Sequence, residues 1–118
     1  VHLTQDLEGF WDGVYLDIVS GKPLFCSIHK YDSGTGWPSF YDLINDDSVQ
    51  QNNDYETGYK RVELKSTSSN SHLGHLFNDG PNPTGMRYCI NSASLKFIKY
   101  DDLDKEGLGK YKKLFDEK

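Results

Sequence analysis

The stretch from Tyr59 to Lys65 alternates: Arg61, Glu63 and Lys65 fall on one side of an extended backbone, Val62 and Leu64 on the other. A helix would scatter these residues round its surface, so the run predicts a strand with one wet and one dry face. A turn-forming cluster, Ser66-Thr67-Ser68-Ser69-Asn70-Ser71, follows at once, and a strand closed in this way predicts a hairpin. The same pattern recurs along the chain. Gly13 to Val19 is a β-prone run closed by Ser20-Gly21-Lys22-Pro23, and Leu24 to Ile28 is a second short strand. Arg87 to Asn91 alternates again, and Ala93 to Tyr100 continues as a strand with Leu95 and Phe97 on one face. Between these lie Asp32-Ser33-Gly34-Thr35-Gly36, a flexible turn, and the polar stretch Asn45 to Thr57, which reads as a surface loop.

Apolar bulk comes largely from eight Tyr, six Phe and two Trp against a single Met, which suits a small β-rich core better than a helical bundle. Helical character is confined to the end of the chain. Gly107 and Gly109 interrupt Asp104 to Leu114, leaving Lys110 to Phe115 as the predicted helical segment. The expected fold is mainly β, with antiparallel sheets around a shallow site and a short C-terminal helix. With 118 residues, one domain spanning 1–118 is the natural count.

Charge excludes some partners. The net charge is -5 and no basic run tracks phosphates, so nucleic acid is not an expected partner. No stretch approaches the roughly 20 apolar residues of a membrane helix, so no membrane partner is expected either. Val1 to Phe10 lacks the basic-then-apolar pattern of a signal peptide, which makes the expected location cytoplasmic.

Residues with chemical potential gather in Gly34 to Phe40 and in His72 to Asn91. Arg87, Cys89 and Asn91 are spaced two apart and share a strand face, successive members roughly 6.5–7 Å from each other. A cationic neighbour favours the nucleophilic thiolate, and an amide can hold a ligand oxygen. The competing reading is a polar strand face that happens to contain a Cys. Composition leaves the two cysteines, Cys26 and Cys89, open to three readings: a structural bridge, two inert core thiols, or a reactive pair. In His72-Leu73-Gly74-His75 a regular strand would point the imidazoles apart, but Gly74 permits a bulge that unites them. United, they could bind metal or act as acid and hydrogen-bond donors, with Asp79 as a further ligand or an orienting carboxylate. Separately, they are ordinary solvated or core histidines. Trp37, held by Pro38 and preceded by Gly36, is either a rigid ring for a methyl or thioether group or a core plug.

Taken in order, Gly36-Trp37-Pro38-Ser39-Phe40, Arg61-Val62-Glu63, His72-Leu73-Gly74-His75 with Phe77, Asp79, Gly80 and Pro81, and Arg87-Tyr88-Cys89-Ile90-Asn91-Ser92 with Leu95 and Phe97 form one series. This series resembles the signature of B-type methionine sulfoxide reductases, that is, peptide-methionine (R)-S-oxide reductases, from about Gly13 to Ile98. The resemblance implies reduction of the R epimer of methionine sulfoxide, free or in a peptide or protein, to methionine. It implies Cys89 as nucleophile, Trp37 and Phe97 around the substrate methyl group, and His72, His75 and Asn91 on the sulfoxide oxygen. Asp79 becomes a supporting residue and Arg87 a stabiliser of the thiolate. Attack leaves a sulfenic acid on Cys89, which a second thiol condenses to a disulfide that thioredoxin or another thiol reductant opens.

Two departures from the family pattern shape the expectations. Many members carry a resolving Cys where this chain has Thr35, so Cys26 becomes the expected resolving thiol, against an inert Cys26 and direct attack by an external thiol. A bridge requires a Cα separation below roughly 7 Å. Many members also hold structural zinc with two Cys-x-x-Cys pairs. The corresponding positions here are Asp17 and Ser20, then Ser66 and Ser69, so a zinc-free subtype with no metal and no cofactor is expected, stabilised by packing that includes Tyr111 to Phe115.

Overall fold

The computed structural model describes residues 12–55, 58 and 61–116. Nine strands and one short helix form among them: β1 (Gly13–Asp17), β2 (Pro23–Cys26), β3 (Lys30–Tyr31), β4 (Ser39–Phe40), β5 (Val49–Asp54), β6 (Arg61–Ser66), β7 (His72–Phe77), β8 (Arg87–Ile90), β9 (Leu95–Lys99) and α1 (Lys113–Asp116). All the pairings are antiparallel. They build a three-stranded sheet in the order β2-β1-β9 and a six-stranded sheet in the order β3-β4-β8-β7-β6-β5. The predicted hairpin is β6–β7, and Asn70 takes the left-handed conformation its turn requires (φ 59°). Tyr59 and Lys60, the start of the alternating run, lie outside the described residues, as do Val1 to Phe10.

The small sheet lies in the middle of the molecule. Its row Phe25–Tyr15–Phe97 faces the large sheet, where these rings meet Phe40, Tyr88, Ile90 and Leu76 in the first core cluster. Phe25 and Phe40 stack with centroids 4.4 Å apart, and Phe25 lies 5.9 Å from Tyr88. The neighbouring row, Cys26–Val14–Ile98, faces away into a second cluster closed by Leu103 and Phe115. Phe115 meets Tyr100 edge-on at 5.2 Å, so the C-terminal segment folds back as a third layer. That segment is a 3-10 turn over Gly109–Lys112 running into α1. Among the described residues no helix is long and apolar enough to cross a membrane.

β5, β2 and β9 differ from the sequence expectation, the last running only from Leu95 to Lys99 because 3-10 turns take Ser92–Ser94 and Tyr100–Asp102. Residues 49–54 form β5, an edge strand paired along its length with β6, rather than part of a loop. Its sequence, VQQNND, shows no alternation because both faces of its middle are exposed and only its backbone is committed. The second strand stops at Cys26 and turns into a 3-10 segment over Ser27–His29 instead of reaching Ile28.

Candidate functional site

Directly paired residues in antiparallel strands share a face, so register alone assembles the site. Tyr31 opposes Ser39, Ser39 opposes Cys89, Cys89 opposes His75, His75 opposes Glu63 and Glu63 opposes Asn52. This row crosses all six strands on the face opposite Tyr88 and Ile90, which are buried between the sheets. Cys89 therefore stands partly exposed on the outer face, with an imidazole directly across from it.

The second imidazole joins through a bulge. Lys65 pairs with His72 while Leu64 pairs with Gly74, so β7 spends one more residue than β6 over this span. The bulge turns His72 onto the face of His75, and the rings meet edge-on with centroids 5.4 Å apart. Gly74 is required for a second reason: a Cβ there would lie 2.0 Å from the Cys89 carbonyl oxygen. Each imidazole is held by a carboxylate. His72 Nδ1 lies 2.7 Å from Glu63 and His75 Nε2 lies 3.0 Å from Asp54, which also meets Arg61 at 3.3 Å. A carboxylate accepts the N–H of the nitrogen it faces, leaving His72 Nε2 and His75 Nδ1 to address a ligand. Asp54 and Glu63 carry these interactions, yet sequence reasoning assigned neither a role. Asp54 lay in a stretch read as loop, and Glu63 looked like an ordinary solvent-facing residue of an alternating strand.

Past the end of β8, Asn91 Oδ1 accepts the Ala93 N–H at 3.0 Å and its backbone N–H donates to Leu73 at 2.8 Å. With its oxygen engaged, the amide NH2 is the free donor. Asn91 and Ser92 line a shallow cleft with Gly36, Trp37 and Pro38, and the Trp37 side chain is half exposed there. A hydroxyl chain holds the loop that presents Trp37. Ser33 Oγ lies 2.8 Å from both Thr35 Oγ1 and Ser39 Oγ, Thr35 Oγ1 accepts the Trp37 N–H at 3.2 Å, and Ser39 Oγ donates to the Trp37 carbonyl at 3.1 Å. Thr35 thus helps to shape the loop.

At the other end of β8, Arg87 donates to both carboxylate oxygens of Asp79, at 2.7 and 3.2 Å, and lies 4.1 Å over the Phe77 ring. The hydrogen bonds from Arg87 hold Asp79 below the usual carboxylate range, and those same bonds hold Arg87 above its own. The neighbouring Asp79, Cys89 and Tyr31 support the guanidinium further.

The structure does not bring two expected residues to this face. Phe97 packs on Tyr15 at 4.8 Å between the sheets and is not among the residues lining the Trp37 cleft. Cys26 is fully buried in the second core cluster, on the far side of the small sheet. The Phe25, Phe40 and Tyr88 layer separates it from β8, whose outer face carries Cys89. Packed sheets lie about 10 Å apart, beyond the roughly 7 Å that a disulfide spans.

Asp17, Ser20, Ser66 and Ser69 do gather. Ser69 and Ser20 donate to Asp17 Oδ2 at 2.6 and 3.0 Å, the Val19 N–H donates to Oδ1 at 2.9 Å, and Ser66 and Ser20 each meet Ser68, at 3.1 and 2.7 Å. Burial opposes the Asp17 charge, but hydrogen bonds from Ser66, Ser69, Val19 and Ser20 outweigh it and hold the carboxyl below its ordinary value. One carboxylate among hydroxyls does not fit structural zinc, which takes thiolate and imidazole ligands. These positions serve as a hydrogen-bonded clasp between the β1–β2 and β6–β7 turns.

Residues 4–99 match the family model of the SelR domain, and the chain belongs to that family, the B-type methionine sulfoxide reductases. Among curated proteins it is 50% identical over 110 residues to the peptide methionine sulfoxide reductase MsrA/MsrB of Vibrio cholerae serotype O1. That alignment covers 90% of this chain and 29% of the relative, so the chain spans less than a third of that protein's length.

Proposed function

We propose that this chain reduces the R epimer of methionine sulfoxide, free or in a peptide or protein, to methionine, with Cys89 as the nucleophile. One observation carries the reading: Cys89 stands partly exposed directly across from His75, with a second carboxylate-held imidazole 5.4 Å from the first and the Trp37 cleft beside the end of β8. The Cys89 thiolate attacks the sulfoxide sulfur. Negative charge grows on the oxygen as it is displaced, and preorganised donors on that oxygen lower the barrier. In this reading His72 Nε2 and His75 Nδ1, when protonated, and the Asn91 amide supply the proton and hydrogen bonds. Trp37 offers its ring to the methyl group. Arg87, fixed by Asp79, contributes positive charge beside the thiolate. The oxygen moves to Cys89, which is oxidised by two electrons to a sulfenic acid as methionine leaves.

An external thiol then condenses with the sulfenic acid, releasing water and forming a mixed disulfide, and a second thiol frees Cys89. A dithiol such as thioredoxin supplies both. Burial of Cys26 behind the aromatic layer favours this route over a Cys26–Cys89 bridge, which would require β2 to leave the core. The test offers each epimer of a methionine sulfoxide peptide separately with a dithiol reductant. Methionine from the R epimer alone supports the proposal, whereas no product from either, by folded and reduced protein, refutes it.

A further inference from the structure

Tyr31 has no part in the chemistry described so far. It ends the row that crosses the large sheet, opposite Ser39, which is itself opposite Cys89. At about 4.8 Å per strand, its Cα lies roughly 9.6 Å from that of Cys89 on the same face, a gap that the long phenol side chain largely crosses. Ser39, between them, is turned to the Trp37 loop and bonded to Ser33 and the Trp37 carbonyl. The Tyr31 Oη is shut off from solvent, and no described group hydrogen-bonds it. Burial, above all, pushes the phenol above its ordinary pKa, with Arg87 opposing and Asp79 and Cys89 adding to the rise, so the group stays protonated and a donor at neutral pH. The substrate cleft lies toward the Asn91 end of β8, whereas Arg87 and Asp79 lie toward the other end. The Tyr31 ring lies 6.5 Å from that of Tyr41 and among its charged neighbours are Arg87 and Asp79, so it sits on the side of Cys89 away from the cleft. A covered donor without an acceptor, aligned with a sulfur that gains an oxygen during turnover, points to that oxygen as its partner.

We propose that the Tyr31 phenol donates a hydrogen bond to the oxygen carried by the Cys89 sulfenic acid, holding that intermediate until a thiol reaches it. The inference rests on the sulfenic acid of the proposed function. The phenol breaks and forms no covalent bond; it lengthens the life of the oxidised sulfur against peroxide and stray nucleophiles.

Tyr31→Phe keeps the ring and removes the donor. The sulfenic acid is generated in two ways, by one turnover of methionine-R-sulfoxide without reductant and by one equivalent of hydrogen peroxide, and its decay is followed on the Cys89 peptide by dimedone capture and mass. We expect Tyr31→Phe to shorten the lifetime roughly three- to tenfold, the worth of one net hydrogen bond, while methionine formation in the single turnover stays close to wild type. Tyr41→Phe is the control, because the Tyr41 ring lies 6.5 Å from that of Tyr31 but its phenol is already committed to the Ile28 carbonyl at 3.3 Å. Equal lifetimes in wild type and Tyr31→Phe overturn the proposal, as does an equal shortening in Tyr41→Phe. A Tyr31→Phe protein that loses methionine formation with an unchanged lifetime also overturns it, placing the phenol on substrate. If the wild type makes no methionine from either epimer, the reductase reading fails by itself, and the peroxide arm still tests Tyr31.

Discussion

Asp54 holds two side chains at once, His75 at 3.0 Å and Arg61 at 3.3 Å, and this is how an edge strand takes part in the site. It holds the imidazole through Nε2, which leaves Nδ1 as the nitrogen that can address a ligand. Replacing Asp54 by Asn offers His75 a neutral partner that no longer imposes that orientation. Asp54→Asn is expected to lower the single-turnover rate by up to about 10²-fold, the scale of a misaligned reacting group. His75→Ala, which removes the proposed proton donor itself, should cost roughly 10²–10⁴-fold. Rapid-quench measurement of methionine formation checks both, and an Asp54→Asn rate equal to wild type would show that the contact has no part in the chemistry. At this scale the sequence was partly legible. Cys89, Asn91 and the imidazole pair were visible because strand spacing and Gly74 announce a shared face. Asp54 was not, because nothing in a polar edge strand marks which carboxylate turns inward.

Two strands, β7 and β8, carry most of the proposed chemistry, and Gly74 sets how closely they run. A methyl group there would press on the Cys89 carbonyl, a backbone atom that cannot move away without shifting Cys89. Gly74→Ala is therefore expected to lose about 1–3 kcal/mol of stability and to lose activity beyond what unfolding explains, as seen by thermal melting alongside single-turnover rates. The Asp17 clasp acts on other elements, tying the β1–β2 turn to the β6–β7 turn. Because its carboxyl is held below the ordinary value in the folded state, the clasp contributes fully above about pH 4 and is lost as pH falls through the lowered folded value. Asp17→Asn should cost about 1–3 kcal/mol at neutral pH, and the difference from wild type should shrink in more acidic melts. A difference that is constant with pH would contradict this reading. The four positions of the clasp were legible as a set from the family pattern, but their hydrogen bonds depend on two turns that only the tertiary structure brings together.

Across the whole molecule, the layer order decides what each cysteine can do. The small sheet lies between the large sheet and the C-terminal segment, so adjacent residues of β2 face different cores: Phe25 toward β8, Cys26 toward Phe115. Strand alternation was readable in the sequence, but which face of which sheet would be outermost was not, and the expected pairing of Cys26 with Cys89 depended on that. With Cys26 buried in the second core, Cys26→Ala should leave dithiol-driven turnover near wild type and express itself as lower stability. Phe115→Ala should weaken the same core by about 3–5 kcal/mol, read as an earlier melt.

The central claim is that Cys89, alone of the two thiols, takes the oxygen. The most direct measurement is a single turnover of a methionine-R-sulfoxide peptide without reductant, with intact mass, free-thiol count and methionine read together. The expected result is one methionine per chain, the loss of one thiol, a gain of about 16 Da as the sulfenic acid, and no product from Cys89→Ser. Loss of both thiols with a decrease of about 2 Da would contradict it, because Cys26 would then have reached Cys89 through the core.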